Sequence, residues 1–151
     1  MGQLPDAACH GGRKGPEERR LLRLAKTNIT FHKNVSDERL REAYQHARAF
    51  ILPGEEDFGL ATVEAQACGT PVIAADCDSG PRELLDHGRY GQLTPVRDPS
   101  ALAAALRDAR QERARWQAAA ADGRAAVRER FSRDRVLRQL EATLWAVLRR
   151  S

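Results

Sequence analysis

Two short runs of uninterrupted apolar residues, Ala49 to Leu52 and Val72 to Ala75, constrain this chain more than any other feature. A strand that is apolar on both of its faces has to be buried on both, which requires helices above and below the sheet. The residues between the two runs supply such a helix. It spans about Gly59 to Cys68 and is closed by Gly69, with Pro71 two residues later. A strand, a crossover helix and a second apolar strand make the unit of a parallel sheet.

The same alternation continues on either side. A helix is expected from Pro16, a residue suited to the first helical turn, to about Lys26, with Leu21, Leu22, Leu24 and Ala25 as its apolar content. A short strand follows at Asn28 to Phe31. Ser36 is placed as an N-cap, with Asp37 and Glu38 in the first turn. Leu40, Ala43, Tyr44 and Ala47 then recur at helical spacing, so this helix is expected to bury one face. Gly80-Pro81 opens a short helix through about Asp86 that stops at Gly88, and Tyr90 to Leu93 reads as the last strand. Asp98-Pro99 starts a helix with Leu102, Ala105, Leu106 and Ala109 inward. Two more helices follow, the last with a stripe of Leu137, Leu140, Leu144, Val147 and Leu148. The expected class is α/β, a Rossmann-like parallel sheet with helices on both faces. Residues 1–15 are expected to be an irregular leader and 16–151 one domain, with its C-terminal helices beginning near 98.

Composition narrows the function classes. The 151 residues suffice for one sizeable core. The net charge of +4 arises from 25 basic and 21 acidic residues, and the arginines of the last third alternate with Asp and Glu, the pattern of solvated helix faces. Aromatics make up only 5% of the chain, too few for a base-stacking surface, so no nucleic-acid partner is expected. Weak peripheral association with an anionic membrane is the remaining electrostatic option. No apolar run reaches the roughly 20 residues of a membrane span, and the first twenty residues lack an apolar signal core. A cytoplasmic location is expected, with the inner membrane surface as the alternative. Cys9, Cys68 and Cys77 form no CxxC pair and are odd in number, so they are expected to be free thiols.

Ligands of parallel sheets collect at the C-terminal ends of the strands, where the next helix offers unpaired N–H groups. That directs attention to the segment after Leu52. There Pro53-Gly54-Glu55-Glu56-Asp57-Phe58-Gly59 is followed by Val63-Glu64-Ala65-Gln66-Ala67-Cys68-Gly69-Thr70-Pro71-Val72. Glu56 and Glu64 match an E-x7-E motif, with an FG after the first glutamate and an EAxAxGTPV run around the second. The segment resembles the donor-sugar-nucleotide signature of GT-B glycosyltransferases of the family 4 type. Weaker similarity runs from Gly15-Pro16-Glu17 through Asn28-Ile29-Thr30-Phe31 to Arg82-Glu83-Leu84-Leu85, Gly91 and Arg130-Phe131-Ser132. The wording of the motif looks most like bacterial mannosyltransferases that use GDP-mannose.

The resemblance implies a role for each motif residue, and the chemistry of each residue type agrees with it. Glu56, the candidate catalytic residue, precedes the helix and can accept hydrogen bonds from hydroxyls of the donor sugar. The Phe58, Gly59 and Leu60 amides crown a helix N-terminus suited to a pyrophosphate, and Gly59 permits close approach to the backbone. Glu64 lies about a turn and a half into the helix, where a carboxylate can hold both the 2′ and 3′ hydroxyls of a ribose. Its position between Val63 and Ala65 is expected to bring it near a core face, where it needs partners. The resemblance also implies retaining hexosyl transfer, mannosyl or glucosyl, from GDP-mannose or a UDP-sugar. The departing diphosphate is stabilised electrostatically, without a protein nucleophile. His32, Lys33 and Asn34 stand where the family places nucleobase contacts, although Lys33 replaces the family's usual glycine.

Asp76-Cys77-Asp78 raises a competing chemistry, because two carboxylates at that spacing can share Mg²⁺ or Mn²⁺ with a diphosphate. The resembling family uses this segment as a strand exit, so no metal is expected. Ser79 to Glu83 are expected to cap a helix, with Glu83 a candidate contact to the sugar or phosphate. The resemblance covers only the donor half of a two-domain enzyme, and the Arg and Lys that the family sets against the diphosphate have no counterpart in Arg13 and Lys14. A truncated or split enzyme is expected. Its acceptor would be a glycan, a lipid-linked sugar or a small molecule, and a separate acceptor-domain chain is a candidate partner. The alternatives are a non-catalytic Rossmann-like binding module and a basic interaction domain acting through the Arg-rich tail.

Overall fold

The computed structural model describes residues 7–10 and 17–149. It divides into two compact units, Met1–Leu40 and Arg41–Ser151, where one domain over 16–151 was expected. The first unit holds strand β1 (Ala7–His10), helix α1 (Glu18–Leu24) and strand β2 (Ile29–His32). β1 and β2 pair in parallel, with Ala7 opposite Ile29 and His10 opposite His32. A strand thus occupies part of the expected leader. Four residues with no apolar period carry little signal of their own, and pairing with a neighbour decides their conformation. Pro16, the expected helix start, lies outside the described residues, as do Arg13, Lys14 and Gly15. Leu21, Leu22 and Leu24 of α1 are largely exposed.

The unit boundary falls within α2 (Asp37–His46). Ser36 caps this helix as expected, its Oγ accepting from the Arg39 N–H at 3.4 Å. The helix contains no fully buried residue, so its expected apolar face is only half-buried.

The second unit is built on strands β3 (Phe50–Leu52), β4 (Val72–Asp76) and β5 (Gln92–Pro95). They lie in the order β3-β4-β5, all parallel, with Phe50 opposite Val72 and Ile73 opposite Gln92. Helices α3 (Leu60–Cys68), α4 (Gly80–Leu84), α5 (Pro99–Gln111), α6 (Arg113–Phe131) and α7 (Arg133–Leu148) complete it. The central strand β4 shows why its sequence is apolar throughout. Val72 and Ala74 join Ala65 of α3 and Leu85 in one buried cluster, while Ile73 joins Ala105 of α5 and Trp116 of α6 in another. Side chains alternate across a strand, so each face of β4 feeds its own core. Full burial of residues such as Ile73 and Leu85 contributes about 1.5–3 kcal/mol each relative to exposure.

Two elements of the second unit are bounded differently from the sequence expectation. β5 begins two residues later than expected, because Tyr90 belongs to the preceding turn: its N–H donates to the Leu85 carbonyl at 3.0 Å while its ring packs on the first cluster. The helix expected to run to Asp86 ends at Leu84 and gives way to a 3-10 turn, Asp86–Gly88, whose residues have positive φ. The stripe on α7 remains open to solvent among the described residues, with Leu140, Leu144 and Leu148 all more than half exposed.

α5 starts where the sequence places it. The Asp98 carboxylate accepts from the N–H groups of Ser100 and Ala101, both at 2.9 Å, and Pro99 takes the first turn. Removing such a cap costs about 1 kcal/mol. Asp98→Ala is accordingly expected to lower the melting temperature by a few degrees in a circular-dichroism melt, and Asp98→Asn, which keeps an acceptor, to recover most of the loss.

Candidate functional site

The residues singled out in the sequence fall into two groups. Glu56, Phe58, Gly59, Leu60 and Glu64 lie on one continuous loop and helix, 53–68, leading from the C-terminal end of β3 into α3. His32, Lys33 and Asn34 lie at the end of β2 in the first unit. The left-handed residue of that turn is Asn34, with φ 49°, so the lysine in place of the family's glycine adopts no positive φ.

Gly59 is the N-cap of α3 with φ 88°, a conformation other residues adopt at a cost, and this is what makes glycine necessary there. The first helical hydrogen bonds run from the Thr62 and Val63 N–H groups to the Gly59 carbonyl. The amides that precede them have no intrahelical acceptor and present the positive end of the helix dipole to the loop. Glu56, Phe58 and Leu60 are exposed around this end.

The loop does not hold itself. The Ser79 hydroxyl donates to the Glu56 carbonyl at 2.7 Å, the Cys77 thiol lies 3.7 Å from the same oxygen, and the Gly80 N–H donates to the Asp57 carbonyl at 2.8 Å. Gly80 is pressed so closely on Phe58 that a Cβ there would sit 1.9 Å from the Phe58 carbonyl oxygen. The Phe58 ring meets Phe131, at the end of α6, edge to face at 6.0 Å. Ser79 therefore occupies the N-cap position of α4 without capping it, since its hydroxyl is committed to the loop. The sequence expectation for Ser79 to Glu83 is a helix cap. The run of small residues at the exit of β4 was the available signal that another segment approaches it.

Glu64 is exposed, in contrast to the core-facing position expected of it, and its partner is the Tyr44 hydroxyl, which donates to Oε2 at 3.2 Å. Tyr44 was read only as part of an apolar helical face. Its phenol is pushed well above the ordinary tyrosine value, first by burial and then by the charge and hydrogen bond of Glu64.

The two carboxylates of Asp76-Cys77-Asp78 are both taken by Arg82. Its Nε donates to Asp76 Oδ1 at 2.7 Å and its Nη1 to Asp78 Oδ1. The guanidinium is held above its ordinary value, chiefly by the bond to Asp76. An arginine thus sits where a shared cation would. No group of three or more His, Cys, Asp or Glu side chains able to hold a metal occurs among the described residues. Glu83 is engaged with Arg130 of α6 at 2.7 Å and not with the loop. Cys68 and Cys77 are free thiols. No helix among the described residues is long and apolar enough to cross a membrane.

Residues 7–112 match the family described as glycosyl transferases group 1. Over 81 residues the chain is 41% identical to D-inositol 3-phosphate glycosyltransferase of Streptomyces avermitilis, a match covering 53% of this chain and 17% of that protein. It is 43% identical over 81 residues to phosphatidyl-myo-inositol mannosyltransferase of Mycobacterium leprae, covering 52% and 21%. Among solved structures, sucrose-phosphate synthase of Thermosynechococcus elongatus superposes with a TM-score of 0.84 at 28% identity, over 95% of this chain and 39% of that one. HepE of Anabaena, in complex with UDP-glucose, superposes with a TM-score of 0.81 over 93% of this chain and 41% of its own, at 23% identity, a likeness of fold alone. The matches thus span between 17% and 41% of the length of these four proteins. With its parallel sheet, its flanking helices and the match over 7–112, the chain belongs to the group 1 glycosyltransferases of GT-B fold.

Proposed function

We propose that the Arg41–Ser151 unit binds a nucleoside-diphosphate sugar as the donor for hexosyl transfer, mannosyl or glucosyl, and that acceptor binding is supplied by protein outside this chain. Glu56 accepts hydrogen bonds from the sugar hydroxyls, the amides of Phe58, Gly59 and Leu60 face the diphosphate, and Glu64 grips the ribose. The observation that carries this reading is the arrangement of the 53–68 segment: two exposed glutamates flank a helix N-terminus whose loop is pinned from behind at three successive residues, 56, 57 and 58. A preorganised cradle of this kind spends little ordering entropy on the ligand. The mannosyl transfer in the name of the Mycobacterium leprae relative supports the ligand class.

In this reading, charge that develops on the departing diphosphate is met by fixed backbone dipoles, while Glu56 orients the sugar. A metal-free site is part of this reading, supported by Arg82, which pairs with both Asp76 and Asp78. The test is calorimetric titration with GDP-mannose, UDP-glucose and GDP, with and without a chelator. One nucleotide class is expected to bind, insensitive to the chelator, with the affinity falling about tenfold or more in Glu64→Ala. Binding of none of them to the folded chain would sink the donor-site reading and leave a Rossmann-like module without this ligand.

A further inference from the structure

We infer that Tyr44 is a positioning residue for donor recognition: its hydroxyl fixes the Glu64 carboxylate for the ribose diol, so that selection of ribose over deoxyribose depends on Tyr44. This rests on the assignment of Glu64 to the ribose.

Glu64 projects from the exposed side of α3, and an exposed glutamate has several rotamers to lose on binding. Tyr44 is itself held from two directions. Its carbonyl accepts the Thr70 hydroxyl at 2.6 Å, just past the end of α3, and its ring meets Phe50 of β3 edge to face at 5.6 Å. The ring also packs against the cluster of Ala65, Val72, Ala74 and Leu85. A donor anchored in this way sits 3.2 Å from Glu64 Oε2 and occupies one acceptor position of the carboxylate. A carboxylate has about four such positions, so enough remain for two ribose hydroxyls. Burial and the adjacent negative charge keep the phenol protonated at neutral and mildly alkaline pH, where it therefore always donates.

Tyr44→Phe removes the hydroxyl and retains the ring that meets Phe50 and the core. The experiment compares dissociation constants of UDP and GDP with those of their 2′,3′-dideoxy counterparts in the wild-type chain, Tyr44→Phe and Glu64→Ala, with a melting curve for each variant. The wild type is expected to prefer the ribonucleotide, and Glu64→Ala to lose that preference. Tyr44→Phe should reduce it about three- to tenfold while leaving dideoxynucleotide affinity unchanged. If Tyr44→Phe keeps the wild-type preference while Glu64→Ala loses it, the positioning role is overturned and the donor reading stands. Equal weakening of both nucleotide types by Tyr44→Phe also overturns it, since that marks a purely structural residue. Retention of the preference in Glu64→Ala, or no binding by the wild type, overturns the donor reading and this inference together.

Discussion

Gly80→Ala is expected to cost the chain at least a tenfold loss in nucleotide affinity, although residue 80 is no part of the proposed ligand contacts. A Cβ there would lie 1.9 Å from the Phe58 carbonyl oxygen and 2.4 Å from its Cα, distances that only backbone movement can relieve. Either the 56–59 loop or the start of α4 has to shift, and with it the Gly80 N–H to Asp57 bond and the Ser79 bond to Glu56. Overpacking against a rigid neighbour costs about 1–3 kcal/mol. Losing the aim of the α3 amides adds its effect on binding, where 1.4 kcal/mol is about tenfold. Gly54→Ala is the control. It lies on the same loop with nothing within 4 Å of a Cβ, and its affinity should match the wild type in the same titration.

Trp116→Ala is expected to have the largest effect on stability and little on binding. Trp116 is 5% exposed, packs with Ile73 and Ala105, and donates its indole N–H to Asp108 Oδ2 at 2.8 Å. Truncating a buried tryptophan costs about 3–5 kcal/mol, a large part of the roughly 5–15 kcal/mol that holds a domain together. The melting temperature should fall on the order of 10 °C. The substitution empties the core on the Ile73 face of β4, whereas α3 packs on the Val72 and Ala74 face. At low temperature, where the variant is still folded, its nucleotide affinity should stay within about threefold of the wild type, since distant sites are nearly additive. A larger loss would mean that the change reaches the site along α6, whose Gly123 lies against Gln66 of α3 and whose Phe131 meets Phe58.

Where residues carry their own local signal, the sequence was readable. Asp98-Pro99 and Gly69 set helix ends by backbone chemistry alone, and the apolar run of β4 announces burial on both faces; the run of β3 announces the same, yet Ile51 is exposed and its neighbours are only half-buried. Ala7–His10 had no such signal, because its strand state comes from pairing with β2. Tyr90 misled in the opposite direction: it is apolar enough for a strand, yet serves the core from a turn. The order of Glu56, Gly59 and Glu64 along the chain was legible, and so was their meeting at one helix start. What holds them was not. Ser79, Gly80 and Tyr44 reach the motif from 20 or more residues away, through contacts that leave no period in the sequence. The Arg82 bridge was hidden for the same reason. D-x-D spacing shows two carboxylates, but only the turn into α4 shows which cation they receive.

The pinning of Glu56, Asp57 and Phe58 by 77–80 changes what has to be transplanted or compared when this motif is used. A protein designer who moved only the stretch between the two glutamates to another parallel sheet would carry the ligand-facing groups without their mould. The portable part has two pieces, the loop with its helix and the turn that closes the neighbouring strand. A relative that keeps both glutamates but has a bulky residue in place of Gly80 is expected to display the signature without its grip on the donor.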